Sequence, residues 1–230
     1  MQIAALQKLT LLDFPGRTAA TVFMPGCNFR CGFCHNPELV LPEKFPEMIP
    51  EEKFLAFLDR RKKLLDGVCV TGGEPTLQPD LPGFLKKIRG RGFAVKLDTN
   101  GSQPEILEKL FRQKLLDFVA LDVKASPENY SKIAGVDIFE KVRTSKNLIS
   151  QSGVEFELRT TLIREIHDEK EFEKILAFVR GAPKYFLQNF ENRGGCLDPA
   201  FEKMHGFTST ELAKMAERAR EFVGECGVRN

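Results

Sequence analysis

Short apolar runs rich in β-branched residues punctuate the chain at Ala19–Met24, Gly67–Thr71, Phe93–Asp98, Asp117–Val123, Val154–Thr161 and Lys184–Phe190, and each predicts a buried strand. Between them the apolar positions space out by three and four. Phe54, Leu55, Leu58 and Leu65 follow the first run, and Phe172, Ile175, Leu176 and Val179 follow the fifth, the spacing of helices with one face turned inward. Pro50 suits a first helical turn. Thr208 with Glu211 writes a capping box ahead of Leu212, Met215, Ala219 and Phe222, and Gly181 and Gly224 are placed to stop helices. Strand and helix alternating six times predict parallel pairing through right-handed crossovers, hence an α/β fold. A closed eight-fold barrel typically takes about 250 residues. Six units in 230 residues therefore predict a partial, open (β/α)6 barrel of the TIM type or an open doubly wound sheet, with chemistry at the carboxyl ends of the strands.

Composition narrows the class of partner. With 42% hydrophobic and 29% charged residues, the chain reads as one folded domain over residues 1–230. The 34 Lys and Arg against 32 Asp and Glu leave a net charge of +2, which gives no electrostatic case for a nucleic-acid partner. The start lacks a basic flank ahead of an apolar run, and no segment reaches ~18 uninterrupted apolar residues, so neither secretion nor membrane spanning is predicted and the cytoplasm is the expected compartment. No internal repeat or low-complexity linker divides the chain. The longest stretch without regular patterning, residues 25–48, lies directly after the first predicted strand.

That loop holds Cys27, Cys31 and Cys34, while Cys69, Cys196 and Cys226 are scattered, which is not the layout of a disulfide framework. Four arrangements are open to three clustered thiols. Zinc needs a fourth ligand, which adjacent His35 is poorly placed to give and Cys69, Cys196 or Cys226 would have to bring. A Cys31-x-x-Cys34 redox pair leaves Cys27 unexplained. Three structural thiols do not suit a segment carrying Asn28, Arg30 and Gly32. A [4Fe–4S] cluster on three thiolates, with one iron left open to a small molecule, uses every thiol. Phe29 and Phe33 would shield such a cluster from water, or simply pack the loop.

Polar motifs recur at the ends of the later strands. Thr71-Gly72-Gly73-Glu74-Pro75 combines two glycines that let backbone approach a ligand with a charged acceptor. The third run ends in Asp98-Thr99-Asn100-Gly101, and the fourth contains Asp122-Val123-Lys124. Acids and an amine at strand ends are costly to bury alone, so they either pair, as Asp98 or Asp122 with Lys124, or meet a ligand. Arg159 offers a bidentate grip on a carboxylate or ribose, or a pair with Glu157 or Asp122. The Gln188 and Asn189 amides suit ribose or adenine as well as neighbouring backbone. His35 reads as a donor to a cluster sulfide or as a local loop contact, and His167 and His205, in charged or loop contexts, as solvated. The basic stretches Arg60–Lys63 and Lys86–Arg91 read as solvated helix faces or a landing site for an acidic electron carrier.

The series LTLLDFPGRTAATVFMPGCNFRCGFCHNPEL, GGEPTLQPDL, KLDTNGS, ALDVKA, ELRTT and FLQNF resembles the radical S-adenosylmethionine (SAM) superfamily, and within it the activating proteins of anaerobic ribonucleoside-triphosphate reductases, over nearly the whole chain. The resemblance implies a [4Fe–4S] cluster on Cys27, Cys31 and Cys34 whose open iron is chelated by SAM. It further implies cleavage of SAM to a 5′-deoxyadenosyl radical and hydrogen abstraction from a glycine of the reductase's catalytic subunit, with pyruvate formate-lyase or a small molecule as other substrates. SAM contacts are implied at Phe33, Gly72, Gly73, Glu74, Asp98, Asn100, Lys124, Arg159 and Gln188. A monovalent cation is implied at Asp98, Thr99 and Asp122 with the backbone of Ala120, and reduced flavodoxin or ferredoxin is the implied electron donor. No thiol lies between Cys34 and Cys69, so the ferredoxin-like insert of some activases is absent, and related activases carry a histidine near the Gln188 strand end that this chain lacks.

Overall fold

A computed structural model describes residues 1–229. A two-residue strand β1 (Gln2–Ile3) leads into β2 (Ala5–Thr10) and β3 (Ala19–Met24). Then follow β4 (Ile49–Pro50), α1 (Glu51–Arg61), β5 (Gly67–Gly72), α2 (Leu81–Arg89), β6 (Ala94–Thr99), α3 (Pro104–Arg112) and β7 (Phe118–Asp122). The remainder is α4 (Tyr130–Ala134), α5 (Phe139–Gln151), β8 (Glu155–Leu162), α6 (Glu169–Val179), β9 (Lys184–Asn189), α7 (Ser209–Ala219) and β10 (Glu225–Arg229).

Eight strands form one sheet in the order β10-β9-β8-β7-β6-β5-β3-β2, and β1 pairs separately with β4. Every neighbouring pair in the large sheet is parallel except β2 with β3. Each parallel step is bridged by at least one helix, and the sheet curls into a partial TIM-type barrel whose edges are β2 and β10. The six predicted strands are β3 and β5 to β9, the middle of the sheet. The two edge strands were not predicted, because β2 buries only Thr10 and β10 only Cys226, so neither carries an apolar run.

The outer face of the sheet packs Val68, Val70, Val95, Leu97, Val119 and Leu121 against the buried stripes of the helices. The inner face is polar, carrying Lys96, Asp98, Glu157 and Arg159. A second apolar cluster, with Phe29, Cys31, Phe33 and Tyr130, sits under the cysteine loop. Thr208 and Glu211 form the predicted capping box, and Gly181, with φ of 81°, follows the end of α6. Gly224 does not stop a helix: α7 already ends with Arg220 as its cap, and Gly224 instead lets β10 pass close to Pro183, whose carbonyl oxygen a Cβ would meet at 2.8 Å. Among the described residues no helix is long and apolar enough to cross a membrane.

Candidate active site

The residues 25–48 stay largely irregular, with short 3-10 turns at Pro37–Leu39 and Pro42–Lys44. Backbone bonds fasten the start of this loop to the end of β5: Gly73 N–H donates to the Met24 carbonyl at 2.9 Å and Glu74 N–H to that of Gly26 at 2.7 Å. Only glycine permits this approach. Gly72 has φ of 119°, and a Cβ on Gly73 would lie 2.0 Å from the Gly26 carbonyl oxygen. Arg30 Nη1 donates to the carbonyls of Cys27 and Phe29 at 2.7 and 2.8 Å and closes the loop on itself.

Cys27, Cys31 and Cys34 thereby line one cavity of about 280 Å³ at the carboxyl ends of the strands. Phe29 and Phe33 wall it, Thr71, Gly72 and Gly73 bring backbone to it, and Asp98, Thr99, Asn100, Asp122 and Lys124 approach from β6 and β7. Asn100 Nδ2 lies 3.9 Å from the Cys27 sulfur and donates to Asn28 Oδ1 at 3.1 Å. Burial pushes the Cys27 thiol up to about 12 and the Cys31 thiol up to about 11. A thiolate at either position thus needs a strongly positive centre beside it, as a metal group provides. Among the described residues no three His, Cys, Asp or Glu side chains converge closely enough to hold a single metal ion. The three thiols that line the cavity are the donor type of an iron–sulfur cluster, which is held by cysteine thiolates.

Charges alternate in sign along the inner face. Lys96 pairs with Asp98, Arg159 bridges Asp98 Oδ2 at 3.1 Å and Asp122 Oδ1 at 2.9 Å, and Lys124 Nζ meets Asp122 Oδ2 at 2.9 Å. Burial alone would raise the Asp122 carboxyl, but Arg159 and Lys124 outweigh it and hold the group far below the usual carboxylate range. Burial acts to lower Lys124, and Asp122 more than reverses it, so Lys124 presents a fixed ammonium 5.9 Å from the Phe33 ring centroid. Asp122 and Asp98 are thus the partners of Arg159; Glu157 pairs instead with Arg229 of β10 at 2.6 Å.

Three residues singled out from the sequence do not reach the cavity wall: Arg159, engaged by Asp98 and Asp122 beneath it, Glu74 and Gln188. Glu74 is fully buried behind that wall. Its Oε1 accepts from Thr76 N–H at 3.0 Å and Thr99 Oγ1 at 2.8 Å, its Oε2 from Asn100 N–H at 2.6 Å, and the Thr76 hydroxyl adds a further bond. The carboxylate orders the β6 end from behind, while the glycine backbone faces the cavity. Gln188 stands on β9 in register with Arg229, away from the cavity. Its neighbour Asn189 bonds the Phe207 backbone with both amide atoms, at 3.0 and 2.8 Å, and so anchors the approach to α7.

Three further residues serve the site from sequence-distant segments. His167 is 1% exposed and not solvated. Its Nδ1 accepts from Ile163 N–H at 2.9 Å, so Nε2 carries the proton and donates to the Lys124 carbonyl at 3.2 Å. Buried Glu171 holds Ser126 and Asn129 just beyond Lys124, accepting at 2.6 to 2.8 Å. Both lie in Ile-His-Asp-Glu-Lys-Glu, where dense charge masks burial. Cys196 packs beside the cysteine loop, 3.8 Å from His35 Nδ1, and the next two backbone N–H groups, of Leu197 and Asp198, donate to Cys34 and Gly32. His35 itself stacks on Phe190 with centroids 5.3 Å apart. His205 is exposed, paired with Glu165 at 2.7 Å.

A sequence profile of the radical SAM superfamily matches residues 21–179, a span that includes the three thiols and the charged strand ends. The chain belongs to the radical SAM superfamily. Within it, a Methanocaldococcus jannaschii protein named as a glycyl-radical enzyme activating enzyme is 31% identical across 99% of this chain and 95% of its own length. The pyruvate formate-lyase-activating enzyme of Clostridium pasteurianum is 30% identical across 84% of this chain and 83% of that one. Both place it in the glycyl-radical-enzyme activase family of radical SAM enzymes. In fold it is similar to Streptococcus suis SuiB, in a crystal structure bound to precursor peptide SuiA. The two share a TM-score of 0.69 at 16% identity, over 91% of this chain and 48% of that one. Radical SAM enzymes use a [4Fe–4S] cluster and SAM, and the thiol spacing, buried sulfurs and ammonium of the cavity fit both groups.

Proposed function

We propose that Cys27, Cys31 and Cys34 hold the cluster with one iron left for SAM, and that the chain installs a glycyl radical on the catalytic subunit of an anaerobic ribonucleoside-triphosphate reductase. The observation that carries the site is the convergence of three thiols, the Gly72–Gly73 backbone and the Lys124 ammonium on one cavity. Bound there, cluster and SAM supply hydrogen-atom abstraction driven by one-electron cleavage of the sulfonium.

The chain's own residues bind and orient. Lys124 offers a charge-assisted donor to the SAM carboxylate, and Asp122 keeps it charged. Carbonyls at Thr71–Gly73 receive the amino group, and Phe29 and Phe33 keep water from the cluster. Every oxygen of Asp98 and Asp122 already faces a cationic side chain. Lys96, Arg159 and Lys124 thus supply the positive charge that a monovalent cation at Asp98, Thr99 and Asp122 would bring. Lys124→Ala should weaken SAM binding about ten- to hundred-fold while iron content stays at the wild-type level. Titration of the reconstituted variant checks this, and unchanged affinity would remove Lys124 from the SAM site.

A reduced flavodoxin or ferredoxin must approach the cysteine-loop end of the barrel. Arg60–Lys63 and Lys86–Arg91 close α1 and α2 at the amino ends of the strands, the opposite end, where Arg89 meets Asp117 just ahead of β7. The uninterrupted motif series from Leu9 to Phe190 and the lack of a cysteine-bearing insert support the reductase as target, and the open side of the barrel between β2 and β10 suits an entering glycine loop. The Clostridium relative favours pyruvate formate-lyase as the second reading. Electron paramagnetic resonance after mixing the reduced, SAM-loaded protein with each enzyme separates them. A glycyl doublet on the reductase alone is expected, and one on pyruvate formate-lyase alone overturns the assignment.

A further inference from the structure

The two halves of the thiol-bearing segment are fastened by different parts of the fold. The Cys27 half is held through the bonds of its flanking backbone to β5, through the Arg30 guanidinium, and through Arg30 N–H, which donates to the Ala134 carbonyl at 2.8 Å. Residues 31–34 form a turn of their own, closed by Cys34 N–H donating to the Cys31 carbonyl at 3.0 Å. Among the described residues, the only hydrogen bonds that join this turn to another segment come from the connection between β9 and α7. Leu197 N–H donates to the Cys34 carbonyl at 2.9 Å, and Asp198 N–H to that of Gly32 at 3.0 Å.

A side chain of the same connection covers the turn. The Phe201 ring packs on Phe33 with centroids 6.2 Å apart. A Cβ added to Gly32 would meet three atoms of the Phe201 ring first, all within 2.9 Å, so the ring lies directly on the Gly32 backbone. The φ of Gly32 is not positive, so its backbone conformation does not call for glycine, whereas the ring does. The connection is itself braced. Asp198 Oδ1 accepts from Ala200 N–H at 2.9 Å and opens the 3-10 turn Pro199–Lys203, and Phe201 N–H donates to the Asp198 carbonyl at 3.0 Å. A cluster needs its sulfurs at fixed mutual positions, and a loop already ordered loses less conformational entropy on taking it up.

We propose that the β9–α7 connection, through Phe201 and the backbone of Leu197 and Asp198, sets the geometry in which Cys31 and Cys34 grip the cluster and so governs how long the cluster is held. Phe201 is a positioning residue in this role, since it acts through the turn it covers and does not line the cavity. The inference rests on the cluster occupying the three thiols.

The test is the rate of iron release to a chelator from anaerobically reconstituted protein, for Phe201→Ala, Phe201→Leu, Gly32→Ala and the double variant of Gly32→Ala with Phe201→Ala. Loss of the ring should speed release roughly three- to ten-fold, the worth of one aromatic contact, and leucine should recover most of that loss. Gly32→Ala pushes the ring off the turn and should match Phe201→Ala. The double variant should then release iron no faster than either single one, where independent effects would multiply. Phe201 is half-buried, so the cofactor-free variants should melt close to wild type. In cofactor-free Phe201→Ala a maleimide should label Cys31 and Cys34 faster than in wild type, and Cys27 at the same rate. Wild-type release from Phe201→Ala, or effects that multiply in the double variant, overturns the proposal and leaves the cluster assignment standing. Equal acceleration of labelling at all three thiols also overturns it, because the whole loop would then have loosened. A wild-type protein that takes up no iron removes both.

Discussion

Alanine at any one of Cys27, Cys31 or Cys34 should give a folded protein that reconstitutes with background iron, lacks the brown colour of a [4Fe–4S] centre and releases no 5′-deoxyadenosine from SAM. The fold should survive because each thiol contributes little packing. Losing one buried sulfur costs about 1 kcal/mol, and the loop is held by backbone bonds to β5 and by Arg30, none of which uses a cysteine side chain. The cluster should not survive, because two thiolates cannot satisfy it. The control is Cys226→Ala. Cys226 is buried on β10 within the outer core, far in the fold from the cysteine loop, so iron and activity should be retained. Iron analysis and absorbance of anaerobically reconstituted variants decide this, and wild-type iron in Cys31→Ala would refute the three-thiol assignment.

The second large effect is on stability and comes from Glu74. Truncation to alanine strips the acceptor from Thr76 N–H, the Thr76 and Thr99 hydroxyls and Asn100 N–H, all inside the protein. Orphaned buried donors of this kind should lower stability by about 3–5 kcal/mol even after partial relaxation. At this chain length that corresponds to a drop of roughly 6–20 °C in Tm. Glu74→Gln should fall in between, since its amide nitrogen must face one of the same donors. The measurement is thermal unfolding of the cofactor-free protein. If Glu74 acted only as a direct ligand of SAM, removing a fully buried carboxylate would leave that melting temperature unchanged or higher. Such a result would return Glu74 to the cavity wall.

The contrast between Glu74 and its glycines shows what the sequence could and could not reveal. The central strands were legible because each is an apolar run buried on the outer face, and the helices because Phe54, Phe172 or Leu212 recur with helical spacing. Edge strands β2 and β10 lack that pattern because one side of each stays unpaired and mostly exposed. The cysteine loop was legible because its ligands are local, within eight residues. Lys124 and Asp122 were legible because charged residues close an otherwise apolar run. Long-range support was not: His167 clamps a carbonyl 43 residues away, and Glu171 reaches Ser126 across 45. Nothing in their own neighbourhoods distinguishes them from solvated helix residues.

The central claim is an iron cluster with one site held open for SAM. It is tested most directly by the electron paramagnetic resonance spectrum of the reduced, anaerobically reconstituted protein, recorded before and after SAM is added. The geometry predicts a spectrum that changes on addition, followed by equimolar methionine and 5′-deoxyadenosine. A cluster signal that ignores SAM, with no cleavage products, would contradict it.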